Sequence, residues 1–228
     1  MKNWFPFTDY DFYAYLTSGM LLIAAVDHIY AGGILLNRSN WSVADYIFWS
    51  AMAYFIGQIL AIPSAVLLEH LMVRTILRPP VSVLLGLKPQ RRMEFCVAFL
   101  FGIREYRPLP TAVQNSIKQK IQRIAGEAVI DDPEAVFQVA FPHARSVPDS
   151  AVRLDTFINQ YGFARNVSFT FLVVSILFCI QMLNKPTDHT RVLLAVAATI
   201  SLGLFLRFLK FYAAHSSETL RTFNRVVA

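Results

Sequence analysis

Charged residues are scarce in this sequence. Asp, Glu, Lys and Arg make up 16% of its 228 positions, against 55% hydrophobic residues. A disordered chain needs the opposite balance, since it stays unfolded for want of apolar surface to bury. Cysteine is rarer still. Cys96 and Cys179 sit in contexts too different for a bridge or a metal site, which excludes a disulfide-stapled secreted domain. The sequence also has no HExxH, GxSxG, Walker A or paired CxxC motif. Nothing in it marks a zinc protease, an α/β-hydrolase, a P-loop ATPase or a thiol redox centre.

Apolar and aromatic residues are abundant instead. There are 19 Phe, 9 Tyr and 3 Trp, and mean hydropathy is +0.45. A water-soluble domain of this length cannot hide that much apolar surface, so the chain is expected in a membrane. The net charge of +6 then fits basic loops facing anionic headgroups better than a nucleic-acid surface.

A bilayer-spanning helix needs ~20 mostly apolar residues. Four segments meet this: 13–36, 46–68, 163–183 and a fourth from Val192. The uncharged run of the fourth ends at Leu206, and Arg207 and Lys210 can snorkel so that the helix reaches Tyr212. Before the first span, Trp4, Phe5, Phe7, Tyr10 and Phe12 form an interfacial aromatic anchor, and no cleavage site follows them. The short connections between spans hold only Arg38, Lys185 and Arg191 among the basic residues. The positive-inside rule therefore puts both termini and the long middle segment in the cytoplasm.

The expected fold is mainly α: a four-helix transmembrane bundle with a cytoplasmic insert domain between helices 2 and 3. Its parts are the anchor and helices 1–2 (1–71), the insert (72–162), helices 3–4 (163–214) and a cytoplasmic tail (215–228). Arg78-Pro79-Pro80 should stop the second helix. Segments 81–87 and 93–103 read as strands or as a buried helical hairpin, and periodicity does not choose between them. Thr111 reads as an N-cap, followed by Val113, Ile117, Ile121, Ile124 and Ala128 on one helical face. Asp131-Asp132-Pro133 opens a short helix over 134–139, and Phe141-Pro142-His143 and Pro148 mark turns. The apolar stripe of Leu154, Phe157, Ile158 and Tyr161 runs into the third span, with Gly162 as a point of bending.

Intramembrane ionisable residues are functional candidates by default, and Asp27 comes first. Counted from Leu36 it lies roughly 13 Å deep, at the level of Tyr54, Ser175 and Thr199, which predicts one polar layer across four helices. Such a layer holds helices together or lines a narrow aqueous path. Gly32, Gly33, Gly57 and Gln58 are read as helix-contact residues, with Gln58 able to bond between subunits. Glu69 and Arg165 stand at matching depth and are expected to pair. The residues Arg91, Arg92, Arg104, Arg107, Lys118, Lys120 and Arg123 form a candidate cytoplasmic basic surface. Headgroup contact is its simpler use, and nucleic acid or a nucleotide the less favoured one. His143 with Arg145, Arg153 and Asp155 resembles an enzyme site but comes with no nucleophile, paired acids or metal-spaced ligands. No catalytic residue, metal or cofactor is assigned.

The run Leu154-Asp155-Thr156-Phe157-Ile158-Asn159-Gln160-Tyr161-Gly162-Phe163-Ala164-Arg165-Asn166 is the most distinctive local feature. The whole layout, two helices, a cytoplasmic insert and two more helices, resembles small four-span bacterial membrane proteins associated with anti-phage defence systems. That resemblance implies a membrane sensor or effector and carries over no site residue. The expectation is a non-enzymatic, homo-oligomeric, multi-pass protein of the bacterial inner membrane, in contact with lipid and open to a cytoplasmic protein partner, acting as a pore or membrane-disrupting effector. The rivals are a scaffold or sensor that recruits a cytoplasmic effector, and a membrane-embedded enzyme acting on lipid through Asp27 or His143.

Overall fold

The computed structural model describes residues 9–87, 91–100, 102, 103 and 106–227. Arg104, the anchor residues Trp4, Phe5 and Phe7, and the side chains of Tyr10 and Phe12 lie outside the described residues. Of the described residues 84% are helical and none forms a strand. Among the described residues three helices are long and apolar enough to cross a membrane: Val43–Leu84, Pro148–Asn184 and Asp188–Val226.

The first helix, α1 (Asp9–Tyr30), ends well before the apolar run does. Residues 32–36 remain apolar, but Gly32 (φ 67°) and Gly33 (φ 81°) take the left-handed conformation that stops a helix. This helix therefore stops short of the end of the apolar run it enters. Helix α2 (Val43–Ser64) starts on a capping box, with Ser42 and Asp45 each bonding the other's backbone N–H. Arg38 pairs with Asp45 at 3.0 Å just ahead of it. Pro63 removes one backbone donor near the end of α2, and the chain winds on as a π-helical segment, Ala65–Leu77. It stops at Arg78 (φ 70°) before Pro79 and Pro80, as the prolines require.

The short helices α3 (Pro80–Leu84) and α4 (Arg92–Phe95), the latter continued by a π turn at Cys96–Leu100, replace any strand pairing in this part of the chain. Helix α5 (Thr111–Ala125) is capped by Pro110, with Thr111 already inside it. Ile117 and Ile121 are buried on its inner face, whereas Ile124 is exposed and Ala128 lies beyond the helix. Helix α6 (Pro133–Arg145) begins on the Asp132 cap and runs straight through Pro142, which was expected to mark a turn. Pro142 is exposed and close to the C-terminal end of the helix, so its ring meets no packed neighbour and little helix follows the bond it removes. Helix α7 (Pro148–Asn184) is continuous through Gly162, and α8 (Asp188–Val226) is continuous to the C-terminal end.

The chain divides into two compact units, Met1–Glu69 with Gly162–Phe205 and His70–Tyr161 with Leu206–Ala228. In the first, α1 and α2 approach so closely that no Cβ fits between them. A Cβ built on Gly19 would lie 1.7 Å from the Ala53 carbonyl oxygen, and one on Gly57 would lie 1.9 Å from that of Tyr15. Ala25, Val174, Phe178 and Ala197 form a small cluster joining α1, α7 and α8. The large apolar side chains of α2, such as Ile47, Phe55 and Ile59, point outward, as a lipid-facing helix requires.

The second unit is built like a soluble domain. Val81, Leu84, Leu85, Ile117, Ile121, Val136, Ala140, Leu220 and Phe223 form one buried core. Leu220 and Phe223 belong to the stretch expected as a separate tail. Their burial makes the last turns of α8 part of this unit, a correction dictated by the apolar face that those turns carry.

Candidate functional site

The polar groups of the apolar unit gather where α2 meets α7. Arg165 Nη1 lies 2.7 Å from Glu69 Oε2, so the structure brings that pair together. Its neighbour Asn166 is fully buried and accepts from Ser64 Oγ at 2.7 Å. Arg165 Nε also donates to the Asn166 side-chain oxygen at 3.3 Å. The Asn166 amide nitrogen has no partner. Two residues further along α7, Ser168 and Ser201 of α8 exchange bonds, each hydroxyl donating to the other's carbonyl at 2.8 and 2.9 Å. This network ties three helices by hydrogen bonds in a setting where hydrophobic association is weak. The Glu69–Arg165 pair was legible in the sequence, whereas the parts played by Ser64, Asn166, Ser168 and Ser201 were not. Their hydroxyls and amide at a constant helical level were the available signal.

The predicted polar layer does not form. Asp27 is buried in the last turn of α1, and its carboxylate accepts the backbone N–H of Leu35 at 3.0 Å and of Leu36 at 3.1 Å. It closes the turn that ends the first helix. The depth count assumed a helix reaching Leu36, and the early stop at Tyr30 invalidates it. Ser175 bonds the Phe171 carbonyl at 2.7 Å and Thr199 bonds that of Ala195 at 2.8 Å, each within its own helix. Tyr54 packs edge-on against Tyr15.

Of the predicted contact residues, Gly57 makes the close approach described above. Gly32 and Gly33 serve the turn instead, because their positive φ ends α1. Gly19 carries an equal share of the α1–α2 contact and was missed. Gln58 is exposed and faces away from its own chain.

The basic residues of the polar unit do not form one surface. Lys120 donates to the carbonyls of Asn224, at 2.7 Å, and Val227, so its charge closes the C-terminal end of α8. Arg107 stacks on Phe99 at 4.2 Å and donates to the Ala98 carbonyl. Arg91 reaches the carbonyls of Thr75 and Ile76. Arg92 and Arg123 are exposed, and Lys118 is half-buried. Around His143, Arg145 pairs with Asp155 at 3.5 Å and Arg153 with Glu218 at 3.3 Å, while the His143 ring stands against Phe223. That cluster links α6, α7 and α8 by one exposed and one half-buried ion pair. Among the described residues no group of three His, Cys, Asp or Glu could hold a metal ion.

Two buried titratable groups stand out in the polar unit. His215 is 5% exposed, sits among the rings of Phe137, Phe141 and Tyr161, and has no partner at Nε2. Burial pushes its pKa down to about 4, against a smaller upward pull from Asp155. Tyr106 is fully buried and donates to the Arg78 carbonyl. Burial, with the nearby Glu94 charge, raises its pKa.

No protein-family model, curated protein or solved structure matches this chain.

Proposed function

We propose that the chain is a multi-pass inner-membrane protein that self-associates and whose polar unit receives a signal or partner and passes the change to its membrane helices. Its output is a pore or a local disruption of the membrane, in keeping with the resemblance to four-span proteins of bacterial anti-phage systems. The four-span layout, with α1 as the first span and both ends cytoplasmic, belongs to this reading.

One observation carries it. Helices α7 and α8 each contribute residues to both units without a break. A helix is stiff, so a displacement at one end is transmitted along it rather than absorbed in a loop. Self-association draws on the exposed Gln58. Its amide carries both donors and acceptors, and in hydrocarbon it gains by finding a second copy of itself.

The test is dye release from liposomes holding the purified full chain, with particle size measured in detergent. Wild type should form an oligomer and release dye. A Gly-Ser-Gly-Ser insertion after Gly162 should leave the oligomer intact and reduce release at least about tenfold. An intact wild-type oligomer that never releases dye overturns the pore, and a monomer overturns self-association.

A further inference from the structure

Within the polar unit a cavity of about 260 Å³ is lined by three arginines, Arg74, Arg78 and Arg91, together with Ser82, Asp131 and apolar walls. Arg74 and Arg78 stand at the end of one helical stretch and Arg91 comes from the next, and each guanidinium has acceptor oxygens beside it. Arg74 Nη1 meets Glu134 Oε2 at 3.2 Å. Arg78 Nε meets Glu94 Oε1 at 3.5 Å, and Glu94 is only 1% exposed. Arg91 Nη1 donates to the carbonyls of Thr75 at 3.2 Å and Ile76 at 3.1 Å. Arg78 is also the one described residue other than glycine with positive φ, a conformation costing roughly 1 kcal/mol or more. The packing around it keeps that conformation, so the direction of its side chain is fixed by the fold.

A guanidinium has five N–H donors in a rigid fork that matches phosphate oxygens. Glu134, Glu94 and the lining residue Asp131 match the three formal positive charges, so what the cavity offers is directed N–H donors rather than net positive charge. The lining combines these donors with two side-chain acceptors, the Ser82 hydroxyl and the Asp131 carboxylate. Pure ion-pairing between segments needs no cavity, and a site for an anion does.

We propose that this cavity binds a phosphate ester, its phosphate held by Arg74, Arg78 and Arg91, and its hydroxyl- or ammonium-bearing substituent held by Asp131. The chemistry is shared by a phospholipid headgroup and by a small soluble phosphate ester. The proposal deepens the reading above by naming the class of input, and it rests on the polar unit being the receiving part.

The experiment uses the full chain in nanodiscs and follows its thermal midpoint. Two probes are applied: glycerol 1-phosphate added to phosphatidylcholine discs, and phosphatidylglycerol discs with nothing added. A rise in midpoint with the first identifies a soluble source, and a rise with the second alone identifies a headgroup. In either case Arg74→Gln and Arg91→Gln should each weaken the effect at least about tenfold in probe concentration, while Lys118→Gln and Arg123→Gln leave it unchanged. Should the arginine variants fold poorly, Asp131→Asn decides. It should bind inorganic phosphate as wild type does and lose the preference for glycerol 1-phosphate over phosphate. No rise with either probe overturns the site, as does an equal loss in the Lys118 and Arg123 variants or an Asp131→Asn chain that keeps its preference. Binding without dye release would contradict the pore and leave this site standing.

Discussion

The two units of this molecule are held together by different forces. In the polar unit the core is made of large side chains, with Leu84, Leu85, Ile117, Ile121, Leu220 and Phe223 at most 1% exposed. In the apolar unit the closest contacts fall on the smallest residues. Gly19 lies on the Ala53 carbonyl and Gly57 on that of Tyr15, and serine hydroxyls bond across from α7 to α8. Water drives the first kind of packing, because burying apolar surface removes it from solvent. Lipid offers no such drive, so helices there associate through close backbone approach and hydrogen bonds. One chain thus uses two solvents, and each leaves its mark on residue size at the contacts.

If that contrast is right, enlarging and shrinking should have opposite consequences in the two units. Phe223→Ala should cost about 3–5 kcal/mol, from lost transfer energy and the cavity left behind. Thermal unfolding followed by hydrogen exchange should show the loss in 70–161 and 206–227, with α1–α2 protected as before. Gly57→Leu should cost about 3 kcal/mol, since the new Cβ would overlap backbone that cannot move aside. Crosslinking between cysteines placed on α1 and α2 reads that separation, and an unchanged yield would mean that the close approach is not needed.

The pH response sharpens the comparison next. His215 keeps its proton less readily in the folded unit than in the unfolded chain, with a pKa of about 4 against 6.5. The unfolded state therefore binds more protons between those values, and stability falls as pH drops from 6.5 towards 4, by up to about 3 kcal/mol. His215→Phe should flatten that slope in the polar unit. An unchanged slope would assign the response to other groups. The smallest effect is expected from Ser168→Ala, at about 1 kcal/mol, read as a lower midpoint in detergent.

The sequence made some of this legible and hid the rest for physical reasons. Apolar length alone locates α2, α7 and α8, because a spanning helix must be long and apolar whatever it touches. The end of α1 is invisible to hydropathy. It is set by the Asp27 carboxylate reaching the N–H groups of Leu35 and Leu36 and by the backbone at Gly32 and Gly33, inside a run that stays apolar to Leu36. Helix α6 shows the reverse error. Pro142 looks like a breaker, yet the helix continues through it to Arg145, because the proline comes so near the C-terminal end that the turns before it are already formed. The ion pair at Glu69 and Arg165 was readable because depth along two helices can be counted. The bonds of Lys120 to Asn224 and Val227 were not, since they join residues more than a hundred positions apart. The arginine cavity was hidden for another reason: Arg74, Arg78 and Arg91 are close in sequence, but spacing alone does not show that they line one space.

The reading as a whole depends on how the chain is threaded through the lipid, which site-specific labelling measures directly. With Cys96 and Cys179 replaced by alanine, single cysteines at Ser39, Lys185 and Arg123 are exposed to an impermeant maleimide. The account predicts labelling of positions 39 and 185 from outside intact spheroplasts, and of position 123 only after the membrane is opened. Labelling of 39 and 185 from opposite faces, or of 123 from outside, would contradict it.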